Sequence, residues 1–211
     1  TQNQAFSALL MLCRQVLNVN LGDISQSVRA KRKEHIPVVF TKDEVASLIT
    51  HTEPKYRLIV RLLYGTGMRL QEALRLRVKD VDFHQKTITV RDGKGGKDRV
   101  TIFPSTLIED FNRQIAMVRT LHKQDLEKGY GEVFMPDALA VKYPKASRQI
   151  HWQWVFPQDD YSTDPRSGWV RRHHFLPRAL QRAFVKALKR SGIEKHASLH
   201  NLRHCFATHL L

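Results

Sequence analysis

Residues 62–83 read Leu-Leu-Tyr-Gly-Thr-Gly-Met-Arg-Leu-Gln-Glu-Ala-Leu-Arg-Leu-Arg-Val-Lys-Asp-Val-Asp-Phe, and the rest of the chain is interpreted around them. The two glycines predict a tight turn between a helix that ends near Tyr64 and a helix that begins near Met68. Arg69 is therefore expected in a first helical turn, where unpaired backbone N–H groups favour an anion such as phosphate. Glu72, three residues on, lies on the same face and can hold Arg69 in place. The alternative is an ordinary helix–loop–helix corner with a surface arginine.

The chain of 211 residues is strongly basic, with 35 lysines and arginines against 20 aspartates and glutamates. The formal net charge is +15 with neutral histidines, and the sequence pI is about 10.2. Such an excess predicts a polyanionic partner, most economically nucleic acid, because phosphate contacts release bound counterions. A membrane surface is the weaker alternative, since the charges are spread along the chain and do not stripe one amphipathic helix.

The composition otherwise describes a soluble globular protein that is large enough to bury a core. Hydrophobic residues make up 42% of the chain, and no apolar run approaches the roughly 18 to 20 residues that span a bilayer. Cys13 and Cys205 each lie in an apolar helical pattern, which predicts reduced core cysteines in a cytosolic protein. The sequence lacks an initiator Met and a basic-then-apolar leader, so we expect it to begin within a parent chain.

The first residues are expected to form the end of an upstream domain. Apolar residues recur at helical spacing between residues 3 and 19, so residues 1–21 are predicted to hold one amphipathic helix. Residues 22–36 lose this period and read as a linker before a domain over residues 37–211. The basic residues of this linker are Arg29, Lys31, Arg32 and Lys33. We expect them to lie along a phosphate backbone, with a solvated charge run as the alternative.

Local signals predict where further helices begin. Thr41-Lys-Asp-Glu44 is a capping box, and proline is favoured in the first turn of a helix. The starts predicted in this way are Thr41, Pro54, Pro104 with Ser105, and Pro177. Gly129 and Gly192 are expected to end the last two of these helices.

Two β-rich runs, residues 87–91 and 99–103, surround Asp-Gly-Lys-Gly-Gly-Lys-Asp and predict a β-hairpin. Its tip carries Lys94 and Lys97, which can reach a phosphate or a bridging oxygen. A phosphate-binding P-loop is excluded, because no Gly-Lys-Ser or Gly-Lys-Thr opens a helix here. The alternative is a soluble hairpin tip with incidental charges.

Residues 129–175 form an irregular, aromatic-rich segment that holds all three tryptophans. Rings that alternate with arginine and histidine are typical of a surface on which bases stack. The residues of this segment that we expect to contact DNA are Trp152, Pro165, Trp169, Arg171, Arg172, His173 and His174. The alternative is that Trp152, Trp154 and Phe156 fill a core, and along a strand the two tryptophans would share a face.

The final helix is predicted to begin after Ser198 and to run from Leu199 to the end of the chain. His200 and Arg203, three residues apart, share a face in its first turns, where a phosphate is again favoured. Leu202, Phe206 and Leu210 are expected to form its buried stripe. His200 and His204 have a metal-ligand spacing, but the glutamate of a zinc-protease helix is absent, so no metal is expected.

Taken together, the Gly-Thr-Gly-Met-Arg turn, the hairpin lysine and Leu-His-Asn-Leu-Arg-His resemble the catalytic domain of the tyrosine recombinases, the phage-integrase family of site-specific DNA recombinases. The resemblance covers about residues 36–211 and implies a mainly α-helical α+β fold with a small antiparallel hairpin or sheet. The segment 129–175 narrows it to the integron integrases. These enzymes recombine gene-cassette sites folded from single-stranded DNA into hairpins, which they recognise through bases that protrude from the stem.

The resemblance also implies a reaction and its residues. A tyrosine cleaves one strand to give a 3′-phosphotyrosine and a free 5′-hydroxyl, without a metal or another cofactor, in a homotetramer on DNA. Arg69 and Arg203 would hold the scissile phosphate, Lys94 would protonate the leaving oxygen, and His200 would give acid/base support, with Glu72 orienting Arg69. The family's tyrosine follows the His-x-x-Arg helix, and no tyrosine follows it in these 211 residues, so the chain is expected not to cleave DNA by itself.

Two other functions remain open at this point. A noncatalytic DNA-binding module could use the same basic residues as a clamp. A type IB topoisomerase shares the arginine, lysine and tyrosine chemistry, although the aromatic segment and the short hairpin argue against it.

Overall fold

The computed structural model describes residues 2–20, 22, 37–93, 95–165 and 167–210. The chain divides into two compact units, residues 1–36 and residues 37–211. The basic residues predicted for the linker, Arg29, Lys31, Arg32 and Lys33, and the hairpin residue Lys94 lie outside the described residues.

The first unit contains helix α1, Gln2–Met11, which continues as a single π-helical segment, Leu12–Val16. A helix is therefore found where the apolar period predicts one, but it widens over its last five residues. Cys13 lies in this wider segment as a free, partly buried thiol, and Cys205 of the second unit is also free.

The second unit begins with two helices whose start signals act as predicted. Helix α2 spans Lys42–His51, and the Thr41 hydroxyl accepts the backbone N–H of Glu44 at 3.1 Å while the Glu44 carboxylate accepts that of Thr41 at 2.7 Å. Helix α3 spans Pro54–Thr66, with its proline in the first turn. The capping box and the proline thus fix both helix starts.

The glycine turn differs from the prediction in its details. Helix α3 runs through Gly65, and only Gly67 of the two glycines takes a positive φ, of 60°. Helix α4 spans Leu70–Leu74, so Arg69 is its N-cap residue and not a member of its first turn. The extended backbone of Arg69 leaves its N–H free to bond the Glu72 carboxylate, which explains the later start of the helix.

A three-stranded antiparallel sheet follows in the order β1–β2–β3. Its strands are β1, Val81–Asp82, β2, Thr87–Val90, and β3, Arg99–Ile102. The predicted hairpin is β2–β3, and β1 is an additional short strand on the other side of β2. Ile88 and Val90 of β2 are buried, which places the residues opposite them on β3, including Arg99, on the inward face.

The remaining helices surround the core. A short 3₁₀ segment precedes helix α5, Ile108–Glu127, and α6 spans Asp137–Lys142. Helix α7 spans Pro177–Arg190 and ends before Gly192, whose φ is 70°. Helix α8 spans Leu199–Leu210.

Two strands in the aromatic segment are not predicted from the sequence. Strand β4, Pro157–Thr163, pairs antiparallel with β5, Val170–His174. Both strands are polar and only half-buried, so they lack the alternation that marks a strand in sequence. Trp152 and Trp154 also differ from the expectation, because Trp152 ends a 3₁₀ turn and Trp154 forms an isolated bridge with Arg77.

The core of the second unit is built from aromatic and branched residues of its helices and of β2. Its largest fully buried side chains include Phe40, Phe111, Phe156 and Phe184. Trp154 and Phe156 are core residues, at 5% and 2% exposure. On α8 the buried residues are Leu199, Leu202 and Cys205. Of the predicted buried stripe, Leu202 is buried, Phe206 is half-buried, and Leu210 is 64% exposed, so the prediction was wrong for Leu210.

None of the helices in the described part of the chain is long and apolar enough to cross a membrane.

Candidate functional site

The carboxylate of Glu72 lies between Arg69, which is predicted to be catalytic, and Arg99 of β3. Its oxygen Oε1 accepts a hydrogen bond from Arg69 at 2.8 Å and one from Arg99 at 2.9 Å. Oxygen Oε2 accepts a second bond from Arg99 at 2.6 Å and the backbone N–H of Arg69 at 2.8 Å. Glu72 is 6% exposed at its side chain, so one nearly buried acceptor fixes two arginines from different elements.

Glu72 keeps its charge because of these arginines. Burial alone would raise its pKa, but hydrogen bonds from Arg99 and from Arg69 outweigh burial and lower the pKa from 4.5 to about 2. The side chains of Arg69 and Arg99 remain 37% and 35% exposed. One negative charge therefore faces two guanidinium groups, and the surplus positive charge lies where an anion can reach it.

Helix α8 brings Arg203 to the same place. A guanidinium N–H of Arg203 donates to the backbone carbonyl of Gly67, and the ring of Phe206 covers Gly67 so closely that a Cβ there would overlap it. Burial lowers the pKa of Arg203, and the guanidinium groups of Arg69 and Arg99 lower it further. The three arginines thus form one local concentration of positive charge.

His200 lies one turn before Arg203 on α8. Burial lowers its pKa first, and the charges of His204, Arg203 and Arg69 lower it further. The imidazole is therefore neutral near pH 7 and has a ring nitrogen that can accept a proton. The rings of His200 and His204 are 4.9 Å apart, and within the described residues no three His, Cys, Asp or Glu side chains are grouped to hold a metal ion.

Arg99 is a member of this cluster that the sequence reasoning missed. Arg99 opens β3 opposite Val90 and faces inward, while its neighbour Val100 is 64% exposed. The apolar alternation in Arg99-Val-Thr-Ile predicts Val100 and Ile102 inward and Arg99 outward, so the sequence pattern points away from this residue. Lys94, which is predicted to act from the hairpin tip, lies outside the described residues.

A cleft of about 640 Å³ has Glu72 in its wall, and we call it the aromatic cleft. The residues predicted to contact DNA that line it are Trp152, Pro165, His173 and His174. The cations that line it are Arg75, Arg77, Lys79 and Arg91. Rings from the segment 129–175 and basic residues that follow α4 thus meet next to the arginine cluster.

Arg77 fastens the aromatic segment to the rest of the domain. Its guanidinium donates to the carbonyl oxygen of Trp152 at 2.6 Å and to that of Phe134 at 2.8 Å. It also lies 3.9 Å from the ring centroid of Trp154, whose other contacts include the edge of His174 at 5.2 Å. Burial lowers the pKa of Arg77 to about 10, so it remains charged at neutral pH. Trp154 is therefore part of the wall's support, and Trp152 is the more exposed of the two tryptophans that line the cleft.

The acidic residues of the cleft are already paired with arginines. Asp80 accepts hydrogen bonds from the Arg91 side chain at 2.7 Å and from the backbone N–H of Arg77 at 3.1 Å. Asp92 lies 4.0 Å from Arg75. The cleft lining thus carries four cations and four carboxylates, and its charges are nearly balanced. The positive charge that a nucleic-acid contact requires comes from the arginine cluster beside the cleft.

His174 has a defined tautomer in the wall of the cleft. Its Nδ1 lies 2.8 Å from the carbonyl oxygen of Phe175, and because a carbonyl only accepts, Nδ1 carries the proton. Burial lowers the pKa of His174, and the proximity of His173 lowers it further. A neutral, flat ring is suited to stacking on a base.

Three further residues predicted to contact DNA lie elsewhere. Lys97 is exposed near the tip of the β2–β3 hairpin. Trp169 and Arg171 line a separate cavity of about 500 Å³, where Arg171 lies 4.9 Å from the Trp169 ring centroid and 3.7 Å from Asp164.

Arg172 differs from the expectation. Its guanidinium donates two hydrogen bonds of 2.7 Å to Asp125 on α5 and further bonds to the carbonyl oxygens of Gln158 and Asp159. Asp125 also accepts the hydroxyl of Tyr161 at 2.6 Å. Because its donors are used inside the protein, Arg172 positions the β4–β5 hairpin and is not available to a phosphate.

Sequence comparison places the second unit in a known family. The profile of the phage integrase family matches residues 38–211. The chain belongs to the phage integrase family. Members of this family are tyrosine recombinases, and the second unit has the fold of their catalytic domain, helical with small antiparallel sheets.

The chain spans only part of the length of the phage integrase family proteins that it matches. An Escherichia coli protein named Integrase/recombinase is 46% identical over 211 residues, which is 100% of this chain and 63% of that protein. Tyrosine recombinase XerA of Thermococcus onnurineus is 30% identical over 184 residues, 86% of this chain and 51% of XerA. The crystal structure of XerH site-specific recombinase bound to difH substrate shares the fold, with a TM-score of 0.55 at 21% identity over 99% of this chain and 53% of that one.

Proposed function

We propose that this phage integrase family chain is the strand-exchange part of a site-specific DNA recombinase of the integron-integrase type. One observation carries the proposal: Arg69 and Arg99 share the Glu72 carboxylate, and Arg203 and His200 lie beside them. A protein that only coats DNA needs cations spread over its surface. Three guanidinium groups beside a neutral histidine are suited to one reacting phosphate.

The proposed reaction assigns roles to two arginines of the cluster, to His200 and to Lys94 of the hairpin. A tyrosine oxygen attacks the phosphorus, the bond from phosphorus to the 5′ oxygen breaks, and the 5′-hydroxyl leaves with a proton. Arg69 and Arg203 donate to the non-bridging oxygens and stabilise the added charge of the five-coordinate transition state. His200 accepts the tyrosine proton and Lys94 donates one to the leaving oxygen. The attacking tyrosine would come from outside these 211 residues.

The proposed substrate is a single strand of DNA that folds into a hairpin with protruding bases. The aromatic cleft supports this proposal, because Trp152, His173 and His174 offer flat side chains in a wall next to the arginine cluster. Four copies would assemble on the DNA, and paired duplex sites would be a second substrate. The DNA in the XerH complex is in line with a DNA partner.

The test of the reaction uses Arg203→Ala in a protein of the relatives' full length. We expect hairpin binding to weaken by about tenfold, the loss of one charge-assisted bond among many phosphate contacts, while strand transfer falls by about 100- to 1,000-fold. Arg119→Ala, an exposed arginine of α5, is the control and should change neither. If the unaltered protein binds DNA tightly and never transfers a strand, the chain is a noncatalytic DNA-binding module.

The test of the substrate compares a hairpin that carries one protruding base with a fully paired duplex of the same sequence. Stacking on Trp152 should favour the protruding base by about 1 to 3 kcal/mol, or roughly five- to hundredfold in affinity. Trp152→Ala should remove this preference and leave salt-sensitive binding to both DNAs. If the variant loses affinity equally for both, the cleft does not receive a base.

A further inference from the structure

The cleft face of Trp152 is already covered in the free protein. The ammonium nitrogen of Lys79 lies 2.9 Å from the centroid of the Trp152 ring. Trp152 borders two cavities, the aromatic cleft and a second one beside α6. Lys79 lines the aromatic cleft and does not line the second cavity. The ammonium therefore lies on the face that a base in the cleft would use.

Lys79 makes no other strong contact that would hold it there. Its ammonium has no hydrogen bond or ion pair to any residue that the structure describes, and Asp80, a carboxylate whose charge acts on it, is bonded to Arg91 and to the backbone of Arg77. Burial, with Arg91 nearby, lowers the pKa of Lys79 to about 8. A cation held over a ring among other cations is readily exchanged for a neutral group.

We propose that Lys79 is a plug: its ammonium closes the Trp152 face in free protein, and a protruding base must displace it to enter the cleft. The inference rests on the proposed function, since it assumes that the cleft receives a base. One ring face cannot hold an ammonium and a stacked base together, so the Lys79 contact sets a threshold for base capture. A weakly stacking or fully paired base leaves the plug in place. When a base does displace the plug, the ammonium of Lys79 is free to contact a backbone phosphate. Lys79 thus makes the cleft selective for bases that stack well.

The decisive variants are Lys79→Ala, which removes the plug, and Lys79→Arg, which keeps a cation able to cover the ring. The probe is a DNA hairpin with 2-aminopurine as its protruding base, compared with the same sequence fully paired, and affinity for each is measured by fluorescence titration. Lys79→Ala should raise the hairpin-to-duplex affinity ratio by about three- to thirtyfold, the range of a cation–π contact. Lys79→Arg should leave the ratio at or below that of the unaltered chain. The matched control is Lys123→Ala, an exposed lysine of α5, which should leave the ratio unchanged.

A second measurement follows the plug itself. In free protein the ring current of Trp152 should shift the Lys79 ε-methylene protons upfield in NMR spectra. Addition of the bulged hairpin should return them toward ordinary values, and the paired duplex should not.

The outcomes separate the plug from the proposed function. A lower ratio for Lys79→Ala would mean that the lysine holds the base, and an unchanged ratio with no upfield shift would mean that it covers nothing; either overturns the plug alone. If the unaltered chain shows no preference that depends on Trp152, the base cleft and the plug both fail.

Discussion

At the scale of single residues, Glu72 controls both the charge and the order of the candidate site. It is the one carboxylate that Arg69 and Arg99 share, and its side chain is nearly buried. An arginine that reached for a phosphate without this partner would first have to be ordered, at the cost of side-chain entropy. Glu72 therefore acts before DNA arrives, by holding two guanidinium groups in position.

Replacement of Glu72 by Gln keeps the shape of the side chain and removes its charge. We expect Glu72→Gln to lower the free energy of unfolding by about 1 to 3 kcal/mol, because two arginines lose a charged acceptor. The control is Glu109→Gln, an 84%-exposed member of a helical pair with Arg113, which should change stability by less than about 0.5 kcal/mol. Urea unfolding at neutral pH measures both, and equal effects would contradict the role of Glu72.

The pKa of Glu72 also predicts a dependence of stability on pH. Its folded value of about 2 lies below the ordinary 4.5, so its contribution is fully present above pH 4.5 and is lost as pH falls toward about 2. The loss of stability between pH 4.5 and 2 should be smaller in Glu72→Gln than in the unaltered chain. Parallel stability curves for the two proteins across this range would show that Glu72 titrates normally.

At the scale of elements, the end of α3 determines where α8 lies. Gly67 ends α3 with a positive φ, and its missing side chain leaves the space that Phe206 fills. The same residue offers its carbonyl to Arg203. A single turn thus sets the helix end, the helix–helix contact and the position of a candidate catalytic arginine.

Gly67→Ala tests this joint role, with Gly192→Ala as its control. Both glycines have positive φ, of 60° and 70°, but a Cβ at Gly192 meets no atom within 4 Å. Each variant should lose about 1 kcal/mol from backbone strain, and Gly67→Ala should lose about 1 to 3 kcal/mol more from displacement of Phe206. Only Gly67→Ala should also weaken DNA binding. Thermal unfolding and DNA titration measure the two effects. Equal losses of stability and of DNA affinity in the two variants would show that the Gly67 turn does not position α8.

The β4–β5 hairpin is attached to α5 through Asp125. Asp125→Asn should destabilise the chain by about 3 to 5 kcal/mol, because it leaves the buried Arg172 without a charged partner. Asp159→Asn, on the same hairpin, is the control, because its 73%-exposed side chain pairs with Lys55 at the surface. We expect the control to remain within about 1 kcal/mol of the unaltered chain. Limited proteolysis should cut Asp125→Asn within residues 157–174; resistance equal to the control's would contradict the attachment.

At the scale of the whole molecule, the sequence predicted the features that depend on residues close together in the chain. The Thr41 capping box, Pro54 and the glycine-rich hairpin each act within a few residues, and the structure has them as predicted. The order of the motifs was sufficient to identify the family, as the match of the phage integrase family profile to residues 38–211 confirms. The roles of the individual site residues, and the preference for folded single strands, stay proposals.

What the sequence did not predict depends on contacts between distant residues. Arg99 joins the cluster because β3 pairs in a register that turns it inward, 27 residues from Glu72. Arg172 reads as a surface cation until Asp125, 47 residues away, is seen to bind it. Lys79 reads as one charge in a basic run, and only the path of the segment around Trp152 places a ring beneath it.

The central claim is that the arginine cluster holds one particular phosphate. Its most direct test is a double-mutant cycle between Arg203→Ala and hairpins that carry a single uncharged methylphosphonate, scanned along the strand. At one position the methylphosphonate should weaken the unaltered chain by about tenfold or more and the Arg203→Ala variant hardly at all, since a charge-assisted bond of 1.5 to 3 kcal/mol is already lost there. Arg119→Ala should show no such coupling. If the two losses add at every phosphate, the cluster does not grip a phosphate and the account is wrong.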